Sequence, residues 1–297
     1  MKKTFSILAA LCSVIFAFSL TSCSDSDGDG NFEEPEFEQD AARYEITSTN
    51  SPYESIELTA SGNYVIIEKN SPYGHSLSAV KKSFSFVEKG AKSRTSSNGV
   101  IWGEYTKGSN GEYILEGFGT IRIESKGDNA YDLDIKTSSG HSVVVGANRD
   151  NKYSSSAMTD KLCRSWEFDR IRATVWINGK KVFDETLNMK QIAGITDEDN
   201  YFYEMKDDLP ELVIFTKAGT YMVIYSGDEL AVSTWRWENE SKGILRYSWD
   251  YDHLFDPDES GLVTISFSGS NILVSEEIED DEYGEVVKFD YYLKEIK

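Results

Sequence analysis

From residue 41 onward the chain is written largely in alternation. Ile121-Arg122-Ile123 and Tyr131-Asp132-Leu133-Asp134-Ile135 switch between apolar and polar side chains at each step. Val263, Ile265 and Phe267 oppose Leu262, Thr264 and Ser266, and Val287, Phe289, Tyr291 and Leu293 oppose Lys288, Asp290 and Tyr292. A period of two puts one set on a core and the other in water, which is the signature of a strand. Turn signals divide these runs. Asn178-Gly179 separates Trp166–Ile177 from Lys180–Asp184, as a tight hairpin requires. Gly90 to Gly99 is a loop rich in Ser and charge, Gly269-Ser270 joins Val263–Phe267 to Ile272–Ser275, and Asp280–Glu285 leads into the last strand. Helical signals are few: one turn over Thr159–Arg164, and a short helix or irregular crossover over Thr186–Ile195. The pattern predicts an all-β chain of barrel or sandwich type.

The chain also partly repeats itself. Leu58-Thr59-Ala60-Ser61-Gly62-Asn63-Tyr64 matches Phe215-Thr216-Lys217-Ala218-Gly219-Thr220-Tyr221, and Gly117–Ile123 echoes Gly261–Phe267 in the same order. Both members of the first pair read as a tight turn at a glycine, Gly62 or Gly219, with an aromatic two residues later on a strand. Asn151 and Ser154 to Ser156 interrupt the pattern. Two β-rich units are therefore expected, over 41–150 and 157–297.

The first forty residues are different. Lys2 and Lys3 precede an apolar stretch from Phe5 to Leu20, which ends in Leu20-Thr21-Ser22-Cys23. That order is the signature of a secretory signal peptide over 1–22. The four closing residues look like a bacterial lipobox, which implies lipidation at Cys23. The stretch is too short, with the wrong flanks, for a membrane-spanning helix. Two or three acyl chains on one cysteine hold a protein to a membrane effectively permanently, since each buried methylene contributes about 0.8 kcal/mol. Residues 23–40 then form an acidic, flexible tether. Asp25, Asp27, Asp29, Gly30 and Glu36 satisfy the spacing of an EF-hand loop. The flanking helices are missing and Pro35 interrupts it, so the tether reading stands over calcium.

Charge and chemistry narrow the function. With 30 Lys+Arg against 51 Asp+Glu the net charge is −21, which argues against a nucleic-acid partner. Hydrophobic residues at 39% are enough to bury a core. His75, His141 and His253 are far from one another and from cysteine, so no zinc pattern arises. Cys12 leaves with the signal peptide, and Cys163 remains as a lone thiol suited to a buried structural place. Asp250, Asp252, Asp256, Asp258 and Glu259 are a local acidic loop that fits no defined calcium motif. Nothing resembles a nucleophile elbow, a P-loop or a dinucleotide fingerprint. No catalytic residue, metal or cofactor is assigned, and a non-enzymatic protein is expected.

Leu162-Cys163-Arg164-Ser165-Trp166, the hairpin at Asn178-Gly179, a crossover and then successive antiparallel strands resemble the lipocalin-like domains of Bacteroidota lipoproteins. The resemblance covers about 159–297 and is weaker over 41–148. It implies an up-and-down antiparallel barrel, with an early Trp plugging one end, and a related small barrel or sandwich before it. Arg164 stands where the lipocalin pattern has glycine, so an open calyx and a filled barrel both remain open. The acidic run after Cys23 resembles the export signal of Bacteroidota surface lipoproteins, which implies a lipid anchor in the outer membrane and exposure at the cell surface.

Five of the six Trp lie in the second unit. Trp235 and Trp237 share a strand face with Ala231 and Ser233, while Leu245, Tyr247, Trp249 and Tyr251 share another. A hairpin across Asn239–Lys242 would bring these faces together. They form either an aromatic core or a platform for a ligand. Trp235, Trp237, Tyr247 and Trp249 are therefore the candidate ligand-binding residues. The leading expectation is a lipid-anchored envelope lipoprotein that binds a small apolar or carbohydrate ligand. The alternative is a structural or interaction module with a filled core that contacts another envelope protein. A glycan-active hydrolase ranks third.

Overall fold

In the computed structural model, the described residues are 35–69, 99–150, 156–207, 209–226, 229–248, 255, 260–280 and 284–296. They form two closed antiparallel barrels of eight strands each. The first runs in chain order through β1 (Ala42–Ile46), β2 (Tyr53–Leu58), β3 (Asn63–Glu68), β4 (Val100–Lys107), β5 (Glu112–Leu115), β6 (Gly119–Gly127), β7 (Ala130–Thr137) and β8 (Ser142–Asp150). It closes by pairing β8 with β1. The first unit is thus a barrel, which decides between the two architectures its sequence allowed.

The second barrel begins after helix α1 (Ala157–Leu162), which Ser156 caps by accepting from the Thr159 amide. Its wall comprises β9 (Ser165–Ile177), β11 (Pro210–Phe215), β12 (Thr220–Tyr225), β13 (Glu229–Asn239), β14 (Ile244–Ser248), β15 (Ser260–Ser268), β16 (Asn271–Asp280) and β17 (Glu285–Glu295). It closes by pairing β17 with β9. Inserted after the first of these strands are β10 (Lys180–Asn188), helix α2 (Met189–Ala193) and a 3-10 turn at Glu204–Asp207. The short helix or crossover expected over Thr186–Ile195 starts later than its sequence suggests, because β10 continues to Asn188 before an Asn188–Gln191 capping box starts the helix. β10 pairs along the upper part of β9 and β11 along its lower part, so the two strands share one edge. Ile192, Phe202 and Leu209 fill the gap where they part and join the core.

Both interiors are filled. Tyr44, Ile56, Leu58, Tyr64, Ile121 and Leu133 are among the side chains that fill the first. Trp166, Phe215, Tyr221, Trp235, Tyr247 and Tyr291 are among those that fill the second. Trp166 is fully buried at the end where α1 lies, its Nε1 donating to the Leu162 carbonyl at 2.9 Å. The Arg164 beside it is also buried and pairs with Glu295 at 2.5 Å, tying the α1 corner to the last strand. A third apolar cluster joins the barrels. Val65, Ile67 and Val100 from the outside of the first meet Ile214, Met222, Ile224, Leu230 and Val232 from the outside of the second. Strands apolar on both faces, such as Tyr64-Val65-Ile66-Ile67, are what a two-sided burial demands.

The repeated segments fall on equivalent strands: Leu58–Tyr64 turns β2 into β3, and Phe215–Tyr221 turns β11 into β12. Gly62 and Gly219 hold φ of +83° and +84°, conformations that glycine adopts without strain. In each, the threonine hydroxyl accepts from the amide four residues on, at 2.9 Å for Thr59 and 3.2 Å for Thr216. The second pair of echoes lies on β6 and β15, the sixth strand of each barrel wall.

Candidate functional site

The hairpin expected between β13 and β14 forms, with a 3-10 turn at Glu240–Lys242 and a left-handed Gly243 at φ +66°. It sets Trp235 opposite Tyr247 and Trp237 opposite Leu245, so the aromatic faces do come together. They come together inside the core. Trp235 is 1% exposed and Tyr247 0%. Trp237 is half-buried; its ring meets that of Trp235 edge-on at 5.6 Å, and its Nε1 donates to Thr159 Oγ1 of α1 at 3.0 Å. Trp249 lies outside the described residues.

The polar edges of these rings are already used. Trp235 Nε1 donates to the Thr216 carbonyl at 3.0 Å. In the first barrel, Tyr105 Oη donates to the Thr59 carbonyl at 2.8 Å from the equivalent place. Their backbone amides also match: Tyr105 N donates to Gly62 O at 2.7 Å and Trp235 N to Gly219 O at 2.8 Å. Trp235 is therefore a hairpin clamp with a counterpart in the other barrel. Tyr247 Oη donates to Glu276 Oε1, and Tyr291 Oη to Glu276 Oε2 at 3.4 Å, which gives the buried Glu276 two donors inside the barrel. Burial and then the adjacent Glu276 push the Tyr247 phenol well above its ordinary pKa. Among the described residues, Trp235 and Tyr247 thus belong to a packed interior and not to the wall of an open calyx.

Two hollows lie outside the barrel interiors. One, of about 250 Å³, sits where the barrels meet and is lined by Glu38, Glu57, Arg149, Cys163, Phe215 and Lys217 among others. Its polar wall spans both barrels. Thr220 Oγ1 donates to Glu57 Oε2 at 2.8 Å and accepts from Arg43 Nη1 at 3.5 Å. Lys217 pairs with Glu38, from the end of the expected tether, and with Asp160, the latter at 2.8 Å. Ser165 Oγ donates to Ser61 Oγ at 2.6 Å. Burial raises the pKa of Glu57, and Arg43 and the Thr216 and Thr220 hydroxyls oppose that rise without cancelling it. Burial works against the Lys217 charge, but Asp160 and Glu38 hold its pKa above the ordinary value. Thr216 favours the ionised form of Glu57, while Glu57 Oε1 and Arg149 Nε have no hydrogen-bond partner among the described residues. Sequence reasoning missed this cluster. Glu57 reads as the solvent side of a strand, and only the repeated turn hinted that its neighbourhood was special. A second, more open hollow of about 370 Å³ lies against α1 and β15, beside Met158, Lys161, Lys242 and Phe267.

Cys163 is a buried free thiol whose pKa burial raises well above the ordinary value. His141 is exposed, while His75, His253, Cys23 and the acidic positions of the 250–259 loop lie outside the described residues. Among the described residues no group of three His, Cys, Asp or Glu is placed to hold a metal, and no helix is long and apolar enough to cross a membrane.

No protein-family model matches the chain, and no curated protein matches it. Among solved structures it is similar to a tryptophan-to-alanine mutant of the vaccine antigen transferrin binding protein B from Haemophilus parasuis Hp5. The identity is 10% and the TM-score 0.23, over 67% of this chain. The matched part spans only 39% of the length of that antigen.

Proposed function

We propose that this protein is a non-enzymatic, lipid-anchored interaction module of the bacterial outer membrane, displayed at the cell surface, whose two barrels are rigid structure rather than ligand cups. The observation that carries this reading is the filled second barrel. Trp235 and Tyr247, the best-placed aromatics for a ligand, are buried and hydrogen-bonded within the fold. A ligand lying against them would have to displace core side chains, each of which costs about 2–5 kcal/mol to remove. The anchor reading rests on the run from Lys2 to Cys23 and on the acidic tether. That leaves the outer surface to make contacts, and an envelope protein is the partner class it suits.

Native mass spectrometry of the full chain with a pool of glycans and lipids tests this. The expected result is no retained mass that depends on the barrel aromatics, together with a discrete envelope protein captured by crosslinking on intact cells. A retained ligand that is lost on Trp237→Phe, with the circular dichroism unchanged, would restore the small apolar or carbohydrate ligand.

A second reading is favoured by one observation, the unsatisfied Glu57 Oε1 and Arg149 Nε beside the inter-barrel hollow. A small polar molecule carrying both a donor and an acceptor would complete them. Loss of a retained polar ligand on Glu57→Gln would distinguish it from the barrel site.

A further inference from the structure

Strand β10 pairs with β9 along one edge, and its second edge has no strand partner among the described residues. Open edges invite pairing, and natural proteins blunt them with charge and bulges. β10 carries both, but in an arrangement that fits one particular occupant. Its first six residues read Lys180-Lys181-Val182-Phe183-Asp184-Glu185. Run antiparallel against itself, this segment sets Lys180 against Glu185, Lys181 against Asp184, and Val182 against Phe183.

Symmetry makes the bulge informative. When a regular strand pairs with its own copy about a two-fold axis normal to the sheet, a residue must face itself. A pattern centred between two residues would otherwise put paired side chains on opposite faces. One extra residue removes that conflict. β10 has it: the register against β9 passes from Lys181↔Trp176 to Phe183↔Val175, leaving Val182 as the bulged residue. Lys181 and Asp184 therefore share one face, where they pair at 2.7 Å, and Arg172 also holds Asp184 at 2.8 Å. Phe183 instead turns to the core. The segment is accessible, with Val182 49% exposed and the neighbouring Ile177 39%.

We propose that β10 pairs with β10 of a second copy of this chain, antiparallel and two-fold, with its charges matched across the new ladder. The inference goes beyond the interaction module proposed above, because self-pairing would occur whether or not another envelope protein binds.

Sedimentation velocity of the full chain in a density-matched detergent tests it with two charge-block variants. Lys180→Glu/Lys181→Glu makes the segment acidic throughout, and Asp184→Lys/Glu185→Lys makes it basic throughout. The expected result is a wild-type species of twice the mass of the mature, acylated chain. Each variant alone should run as a monomer, and an equimolar mixture should recover the dimer. The recovery shows that both variants remain folded. A monomeric wild type overturns the proposal, as do dimers that survive in both variants or a mixture that stays monomeric. A monomer that still captures an envelope protein on cells would overturn self-pairing while leaving the interaction module in place.

Discussion

Trp235 is where the filled-barrel reading can be made to fail. Trp235→Phe keeps an aromatic ring in the core but removes the indole N–H that reaches the Thr216 carbonyl at 3.0 Å. The lost hydrogen bond, with its acceptor left buried, costs about 1 kcal/mol, and the space left by the smaller ring about 1 kcal/mol more. A loss of roughly 2 kcal/mol lowers the melting temperature of a domain this size by about 4–8 °C. Tyr105→Phe removes the equivalent hydroxyl donor to Thr59 and leaves ring volume unchanged, so its cost is about 1 kcal/mol. Differential scanning calorimetry of the full chain reads both. The order of the two effects follows from geometry: both clamps matter, and the tryptophan more. A Trp235→Phe protein that melts with the wild type while losing a bound glycan or lipid would refute the argument, because the ring would then be serving a ligand instead of the hairpin.

Other expectations follow from the same contacts. Burial raises the Glu57 pKa in the folded protein. Below the unfolded value the carboxyl is neutral in both states, and stability is lost as pH rises from there through the folded value. Glu57→Gln should therefore melt higher than wild type at neutral pH, with the difference closing toward pH ~4; a variant equally destabilised across that range would contradict the sign. The buried pair Arg164–Glu295 predicts that Arg164→Met alone costs roughly 3–5 kcal/mol in chemical denaturation, and that adding Glu295→Leu returns much of it. Strictly additive losses would mean the pair is not coupled. Cys23→Ala should abolish incorporation of an alkyne-tagged fatty acid and release the chain from the membrane fraction; retained label would place the acyl group elsewhere.

The strands were legible because each alternation was long enough to define two faces. Alternation places Leu262 on the face opposite Val263 and Ile265, and it is 45% exposed where they are buried. The facing of Trp235 on Tyr247 was legible too, since hairpin length sets register. Whether that face enclosed space was not legible, because a barrel interior fills or empties by the summed volume of side chains from all its strands. Arg164 in place of a glycine gave no sign of its partner, which lies at the far end of the chain in Glu295. Glu57 was hidden for a related reason. Alternation identifies a residue that faces away from its own core, but it cannot say that a second barrel covers that face.

The repeated turn explains why the barrels meet where they do. Each hairpin keeps its inner face for its own barrel, Tyr64 and Ile66 in one and Tyr221 and Val223 in the other. Each also carries apolar side chains on the outer face, Val65 and Ile67 against Met222 and Ile224. Neither outer face is tolerable in water at that size, so equivalent surfaces of two similar barrels cover one another. The polar residues at the same junction are asymmetric: Glu57 and Arg43 come from the first barrel and Thr220 and Lys217 from the second. Apolar matching supplies most of the attraction, and the buried hydrogen bonds select the relative placement, since a shifted docking would leave Glu57 without its Thr220 donor. The two hairpins share the threonine, glycine and aromatic positions that shape each turn and differ in the outer-face residues that make the joint.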